Sequence, residues 1–345
     1  MTTDELKAHL ASIKYPGFSR DIVSFGLVKE AEMVEGKAEI FLQIQTRDAE
    51  VPRQIFGNIH ESLDPILGGP ENVQVSIDIK DPPAQGESSA VKESLPGVKH
   101  IIAVASGKGG VGKSTVASNL ALALRDQGLK VGLCDCDLYG PSIAHMFGVA
   151  NHELSADADE NIIPIETDGL RLMSMGFLLS DSSPVIVRGP LANRYIQQFL
   201  KQVAWGDLDV LVLDLPPGTG DIQLTIVQSV SLTGAVIVTT PQEVALIDAR
   251  KAVTMFAKVN VPILGIIENM AWFECDQGKR YYLFGKGGGR KEAKRLKTPL
   301  LAEIPLEPET CVKADKGRPI VLKKSDTPFH EAAKNLMVNI KASHP

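Results

Sequence analysis

Between positions 106 and 115 the chain reads Ser106-Gly107-Lys108-Gly109-Gly110-Val111-Gly112-Lys113-Ser114-Thr115, a spacing of glycines, lysine and hydroxyls suited to phosphate. Gly109, Gly110 and Gly112 let successive backbone N–H groups turn towards phosphate oxygens, and the positive end of a following helix adds to their pull. Lys113 would reach the β and γ phosphates of a nucleoside triphosphate, and Ser114 would ligate Mg²⁺. Two acidic segments complete such a site, Asp135-Cys136-Asp137-Leu138-Tyr139-Gly140-Pro141-Ser142 and Asp214-Leu215-Pro216-Pro217-Gly218-Thr219-Gly220-Asp221. Asp214, at the carboxyl end of an apolar run, is placed to hold Mg²⁺ through water, with Gly218-Thr219-Gly220 as a mobile switch near the γ phosphate. Asp137 is the choice for positioning the attacking water. Asp135 and Asp137 also suit a second role, as caps of a turn or helix.

This chemistry needs a strand that ends in the loop and a helix that leaves it. Ile101-Ile102-Ala103-Val104-Ala105 supplies the first, and Ser114 to Leu124 continues as the second, the context a true P-loop requires. Further unbroken apolar runs at 130–134, 210–213, 235–238 and 263–267 read as parallel strands covered on both faces by helices. The expected fold is therefore an α/β P-loop NTPase, with a mainly parallel sheet, over residues 98–345. Ahead of it, residues 1–80 pattern as helix, strand, strand, helix, strand, a small α+β domain: Gly36 to Ile44 and Asn72 to Ile79 alternate as half-buried strands, and Val51 to Leu63 suits an amphipathic helix. Residues 81–97 begin Asp81-Pro82-Pro83-Ala84-Gln85-Gly86-Glu87-Ser88-Ser89, which has little to bury and reads as a linker. No internal repeat is present. Pro328 to Ile340 reads as an amphipathic closing helix, with too few basic residues for a membrane anchor.

At 345 residues and 44% hydrophobic composition, the chain can bury a substantial core and has room for two or three domains. A formal charge of -6 argues against nucleic acid as a partner, because counterion replacement on phosphate needs a basic face. No apolar stretch is long enough to span a bilayer, and Met1-Thr2-Thr3-Asp4-Glu5-Leu6 lacks the features of a signal peptide, so the expected location is cytoplasmic without stable membrane association. Four cysteines in a chain this long do not make a disulfide framework; each is a buried thiol, a metal or cluster ligand, or a redox group.

Lys108, five positions before Lys113, is one lysine more than a plain P-loop needs. The loop resembles that of the MinD, ParA and nitrogenase iron protein superfamily. That resemblance implies that Lys108 contacts nucleotide held by a second subunit, offsetting charge that builds during transfer as an arginine finger does. ATP binding would then close a homodimer. With Asp135 to Ser142, Arg188-Gly189-Pro190, Asp214 to Asp221, Thr240-Pro241-Gln242 and Glu268-Asn269-Met270, the resemblance narrows to the Mrp/ApbC family of iron–sulfur cluster carrier ATPases. It implies ATP and Mg²⁺ as cofactors and an iron–sulfur cluster, [4Fe–4S], delivered to apoprotein acceptors alongside assembly proteins. It also implies that Asn269 contacts adenine and that the loop Ile304-Pro305-Leu306 lines the base, placing Pro305 in the site. Through Gly17 to Val28 the first 80 residues resemble the small iron–sulfur assembly domain that often precedes this ATPase.

Carriers of this family usually have Cys-x-x-Cys shortly after the Glu-Asn-Met segment, whereas this chain has Phe273-Glu274-Cys275-Asp276-Gln277-Gly278. Cys275 is the leading cluster ligand, against an inert thiol, and Cys311 follows it. A symmetric dimer would offer two thiolates from Cys275, short of the four such a cluster takes. The segment Lys279 to Gly288 resembles the high-chlorophyll-fluorescence branch, which also lacks the cysteine pair. The small domain carries Gln45-Thr46-Arg47-Asp48-Ala49 where a reactive cysteine is common. Cys134 and Cys136 fall on one face of a strand, close to the nucleotide; they read either as a ligand pair or as small thiols packed beside the P-loop strand. Trp272, Phe273, Tyr281 and Tyr282 read as a partner surface or as local core. The rival function is a MinD/ParA-like positioning or scaffold ATPase without a cluster, and a third is a metabolic kinase or ligase on the same core.

Overall fold

In the structure, a computed structural model, the described residues are 2–14, 16, 21–24, 26–34, 36–46, 50–80, 94–138, 140–178, 199–319, 321 and 326–343. Most of the expected linker (81–93), together with Gly17 to Arg20, Arg47 to Ala49, Tyr139 and Arg188-Gly189-Pro190, lies outside them. The chain divides into two compact units, Met1–Ser89 and Ala90–Pro345.

In the first unit, α1 (Thr3–Leu10), β1 (Val28–Val34), β2 (Lys37–Gln45), α2 (Glu50–Leu67) and β3 (Val73–Lys80) follow in order. β2 lies between β1, antiparallel to it, and β3, parallel to it. Alternation sends Ala38, Ile40, Leu42 and Ile44 of β2 to one face, where they bury against Leu6 and Leu10 of α1 and Ile55, Ile59 and Leu63 of α2. A capping box between Thr2 and Glu5 starts α1.

The second unit is built on eight strands in the order β15-β12-β11-β4-β10-β5-β9-β8. Their bounds are β4 (Val98–Ala105), β5 (Val131–Asp135), β8 (Ile165–Thr167), β9 (Leu170–Ser174), β10 (Leu208–Asp214), β11 (Gly234–Thr239), β12 (Ile263–Glu268) and β15 (Leu300–Glu303). Neighbours are parallel except β8 with β9. Two short antiparallel pairs stand apart, β6 (Ser155–Ala156) with β7 (Ile162–Ile163) and β13 (Phe273–Glu274) with β14 (Arg280–Tyr281). The helices are α3 (Lys113–Asp126), α4 (Ile143–Met146), α5 (Asp221–Ser229), α6 (Glu243–Lys258), α7 (Gly288–Arg295), α8 (Pro308–Asp315) and α9 (Pro328–Ser343).

Strand alternation splits the core in two. Ile102, Val104, Val210 and Val212 face α3 and α9 through Leu120, Leu124, Leu336 and Ile340. Ile101, Ala103, Leu211 and Leu213 face the other way, against Ile226 of α5 and Phe256 of α6. Burial on both faces is why these strands are unbroken apolar runs. β8, β9 and β15 escaped the sequence reading, being short or, in β9, interrupted by Arg171. No helix among the described residues is long and apolar enough to cross a membrane.

Candidate functional site

β4 ends in the buried Ser106, whose hydroxyl donates to the carbonyl of Lys108 at 2.9 Å. Gly110 and Gly112 both take left-handed backbone, φ 80° and 78°, and Gly112 is the N-cap of α3. A β-carbon at 112 would overlap the side-chain amide of Asn269, and one at 107 would overlap the carbonyl of Asp248 on α6. Asn269 donates through Nδ2 to the carbonyl of Val111 at 2.9 Å, which ties the loop to the end of β12. Val111 itself is a core residue, so it offers the loop its backbone alone. No side chain among the described residues caps α3, leaving its first-turn N–H groups for an anion. A cavity of about 240 Å³ lies there, lined by Lys108, Gly110, Lys113, Ser114, Thr115 and Asp137, with Gly109 at its rim.

Beneath that cavity Lys113 Nζ donates to Asp214 Oδ1 at 2.5 Å, with the two side chains only 6% and 0% exposed. Ser114 Oγ lies 3.4 Å from the same ammonium. Burial pushes the Asp214 carboxyl up, and the Lys113 charge pulls it back. Its second oxygen, Oδ2, is buried without a hydrogen-bond partner among the described residues. An orphaned carboxylate oxygen beside a serine hydroxyl at a phosphate cavity is a hard donor set that fits Mg²⁺, which keeps several waters and takes few protein ligands.

The two aspartates at the end of β5 separate cleanly. Asp135 is a cap: its carboxylate accepts from the backbone N–H of Asp137, Ser142 and Ile143 and from Ser174 Oγ, at 3.0–3.1 Å. Burial and then the nearby charge of Asp214 push its carboxyl up to about 7, against those hydrogen bonds. Asp137 lines the P-loop cavity and also accepts from the Gly140 N–H at 3.2 Å. Across from it the switch leaves β10, and the Gly218 N–H donates to the carbonyl of Ser106 at 3.0 Å.

At the far rim, Asn269 N donates to Thr239 O, and the segments 271–272 and 304–306 run side by side through Ala271 N to Ile304 O and Leu306 N to Trp272 O. Pro305, half-buried, therefore sits beside the loop that carries Asn269. Sequence reasoning missed Glu268. It is buried and accepts from the Gly289 N–H at the start of α7. The signal was the run Gly285-Lys286-Gly287-Gly288-Gly289, a helix start that needs an anion.

The cysteines fall in three places. Cys275, half-buried, opens the turn between β13 and β14, its N–H donating to Lys279 O and its carbonyl accepting from Gly278. Cys311 is exposed on α8. Cys134 and Cys136 are fully buried with sulfurs 3.7 Å apart, in the core on the face of the sheet away from α3. Alternation along β5 puts both on one face, as expected, and the P-loop helix covers the other; they still adjoin the site carboxylates, since the Cys136 N–H donates to the carbonyl of Asp214 at 2.9 Å. Burial pushes the Cys134 thiol well up, which disfavours the thiolate a metal needs. Among the described residues no group of three or more His, Cys, Asp or Glu is arranged to hold a metal. The aromatics divide too. Trp272 and Phe273 are half-buried, while Tyr281 and Tyr282 are exposed, and Arg280, Lys279 and Lys286 stack on Trp272, Tyr281 and Tyr282.

A family model described as NUBPL iron-transfer P-loop NTPase, of the ParA type, matches residues 97–341. A protein of Deinococcus radiodurans named iron-sulfur cluster carrier protein is 45% identical over 320 residues, 92% of this chain and 89% of its own. One of Escherichia coli with the same name is 48% identical over 249 residues, 72% of this chain and 68% of its own. Among solved structures, a nucleotide-binding protein in complex with ADP from Archaeoglobus fulgidus is similar at a TM-score of 0.60 and 42% identity, over 67% of this chain and 90% of that one. The septum site-determining protein MinD with Mg-ADP from Pyrococcus horikoshii follows at 0.53 and 26%, over 69% and 94%. Loop, carboxylates and likenesses agree, and the chain belongs to the NUBPL iron-transfer P-loop NTPase family.

Proposed function

We propose that this protein binds ATP with Mg²⁺, hydrolyses it as a homodimer, and uses dimer closing and opening to bind an iron–sulfur cluster and deliver it to apoproteins. The observation that carries the reading is covalent continuity. The chain runs from Asn269, tied to the P-loop at Val111, straight into the hairpin whose turn begins with Cys275, so a shift of the loop is passed to a half-buried thiol. In this reading Lys113 holds the β and γ phosphates, Lys108 reaches the nucleotide of a second copy, and Asp137 orients the attacking water. Gly107 to Thr115 cradle the phosphates, and Asn269 and Pro305 flank the base. Ser114 and Asp214 would hold Mg²⁺, which neutralises phosphate charge when bound.

The cargo is a [4Fe–4S] cluster bridged by Cys275 of both copies, with Cys311 or a small thiol completing the ligands. Residues 1–80, joined through 81–97 to the ATPase domain of 98–345, recruit assembly proteins. They contain no cysteine and so supply no thiolate. Anaerobic reconstitution with iron and sulfide tests the proposal. Stoichiometric iron that passes to an apoprotein is the expected result; a chain that binds ATP and never retains iron is instead a scaffold acting on a protein partner.

A further inference from the structure

α5 turns its core face inward through Gln223, Ile226 and Val227. Ile226 and Val227 are apolar, as that spacing demands, and Gln223 is not. It is 1% exposed, and neither its amide oxygen nor its amide nitrogen has a hydrogen-bond partner among the described residues. A buried amide left unpaired is destabilising, so folding alone favours an apolar side chain of the same length. A local rule broken at such a cost marks a functional position.

The surroundings say which function. Gln223 lines a cavity of about 560 Å³ together with Asp137, Gly140, Pro217 and Asp221. Asp137 and Pro217 also line the P-loop cavity, so the two spaces meet at Asp137. Between Asp214 and Gln223 runs the switch, with Gly218 at φ 98° and open space around Gly218 and Gly220 where side chains would stand. The orphaned Oδ2 of Asp214 and the orphaned amide of Gln223 thus bracket one glycine-rich segment.

We infer that Gln223 is a positioning residue for ATP hydrolysis: its side-chain amide, unpaired among the described residues, turns to donate to Asp137 once nucleotide is bound, so that this carboxylate holds the attacking water in line with the γ phosphate. The inference rests on the hydrolysis reading above and deepens it. In the step, the water oxygen bonds to the γ phosphorus as the bond from phosphorus to the β,γ-bridging oxygen breaks. ADP leaves with that electron pair, and the water proton passes to the Asp137 carboxylate and then to the released phosphate.

The test compares wild type, Gln223→Met and Gln223→Glu as full chains, measuring kcat and KM for ATP, nucleotide affinity and Tm. Methionine keeps the length and removes the unpaired amide, so Tm should hold or rise and ATP affinity stay within about twofold, while kcat falls on the order of 100-fold, as on loss of one aimed donor. Glutamate keeps shape and acceptor but has no N–H to give, so its kcat should stay low too. Wild-type turnover in Gln223→Met overturns the inference, as does lost turnover that merely tracks a lower Tm and weaker ATP binding. Hydrolysis by wild type that is absent in Lys113→Ala keeps the ATPase reading whatever Gln223 does; a wild type that binds ATP without turnover overturns both.

Discussion

Gly112 sets the shape of the phosphate loop by what it lacks. Its φ of 78° is a conformation that costs an L side chain about 1–2 kcal/mol, and a β-carbon there would displace the Asn269 amide from Val111 O, forfeiting a hydrogen bond worth about 1 kcal/mol. Gly112→Ala should therefore destabilise the ATPase unit by about 2–3 kcal/mol in denaturant titrations and weaken ATP binding at the same time. An unchanged midpoint with normal ATP affinity would show that the Asn269 tie is dispensable. The glycines and Lys113 were legible in the sequence because their spacing is the chemistry. The division of labour between Asp135 and Asp137 was not, since both stand at the end of the same strand and only the fold shows which carboxylate meets the N–H groups of Ser142 and Ile143. Gln223 was invisible for a related reason: a glutamine in a helix is ordinary until the helix is seen to turn it inward.

Strands buried on both faces announce themselves as apolar runs, and the five central ones were readable. The edges were not, because β8 and β15 are three and four residues long and carry too few side chains to set a period. At the other end of the sheet from the nucleotide, Asp209 holds three strands together. It sits on β10 between β4 and β5, accepting from Lys99 Nζ at 2.7 Å and from the Lys130 N–H at 2.8 Å. Those two bonds, Lys99 first, hold its carboxyl below the usual value of 3.8. A lowered folded value means that the unfolded chain binds more protons in acid, so the contribution is complete above about pH 5 and disappears as pH falls through and below 3.8. Asp209→Ala should cost about 1 kcal/mol at neutral pH, chiefly through the Lys130 N–H, with the exposed ammonium adding little. Denaturant curves of the two proteins should converge towards pH 3; a gap of constant size would mean that packing, not the charge, does the holding.

At the scale of the molecule, Asn269, tied to the P-loop, and Cys275 lie on one short piece of chain, and each end has its own reporter. Lys108 lines the phosphate cavity, and the proposal gives it the nucleotide of a second copy. Lys108→Ala should keep nucleotide binding and lose turnover together with ATP-dependent dimerisation, followed by light scattering; undiminished hydrolysis would remove it from the site. Cys275 carries the remaining claim. Iron needs thiolates, and a two-fold axis can pair a residue only with its own copy. Of the other three cysteines, two are sealed in the core and one lies on α8. The turn from Cys275 to Lys279 is a hairpin tip in which Asp276 to Lys279 are all exposed, so a change at its sulfur should leave the nucleotide site intact. Cys275→Ser is accordingly expected to lower the iron and sulfide retained after anaerobic reconstitution by at least half, with ATP affinity and Tm unchanged, because serine preserves the turn and removes only the soft ligand. With two protein thiolates the wild-type cluster should itself be labile, its visible absorbance decaying in the presence of a chelator and slowing when a small thiol is added. Equal iron in wild type and Cys275→Ser would mean that this thiol is inert and that any cargo is held elsewhere.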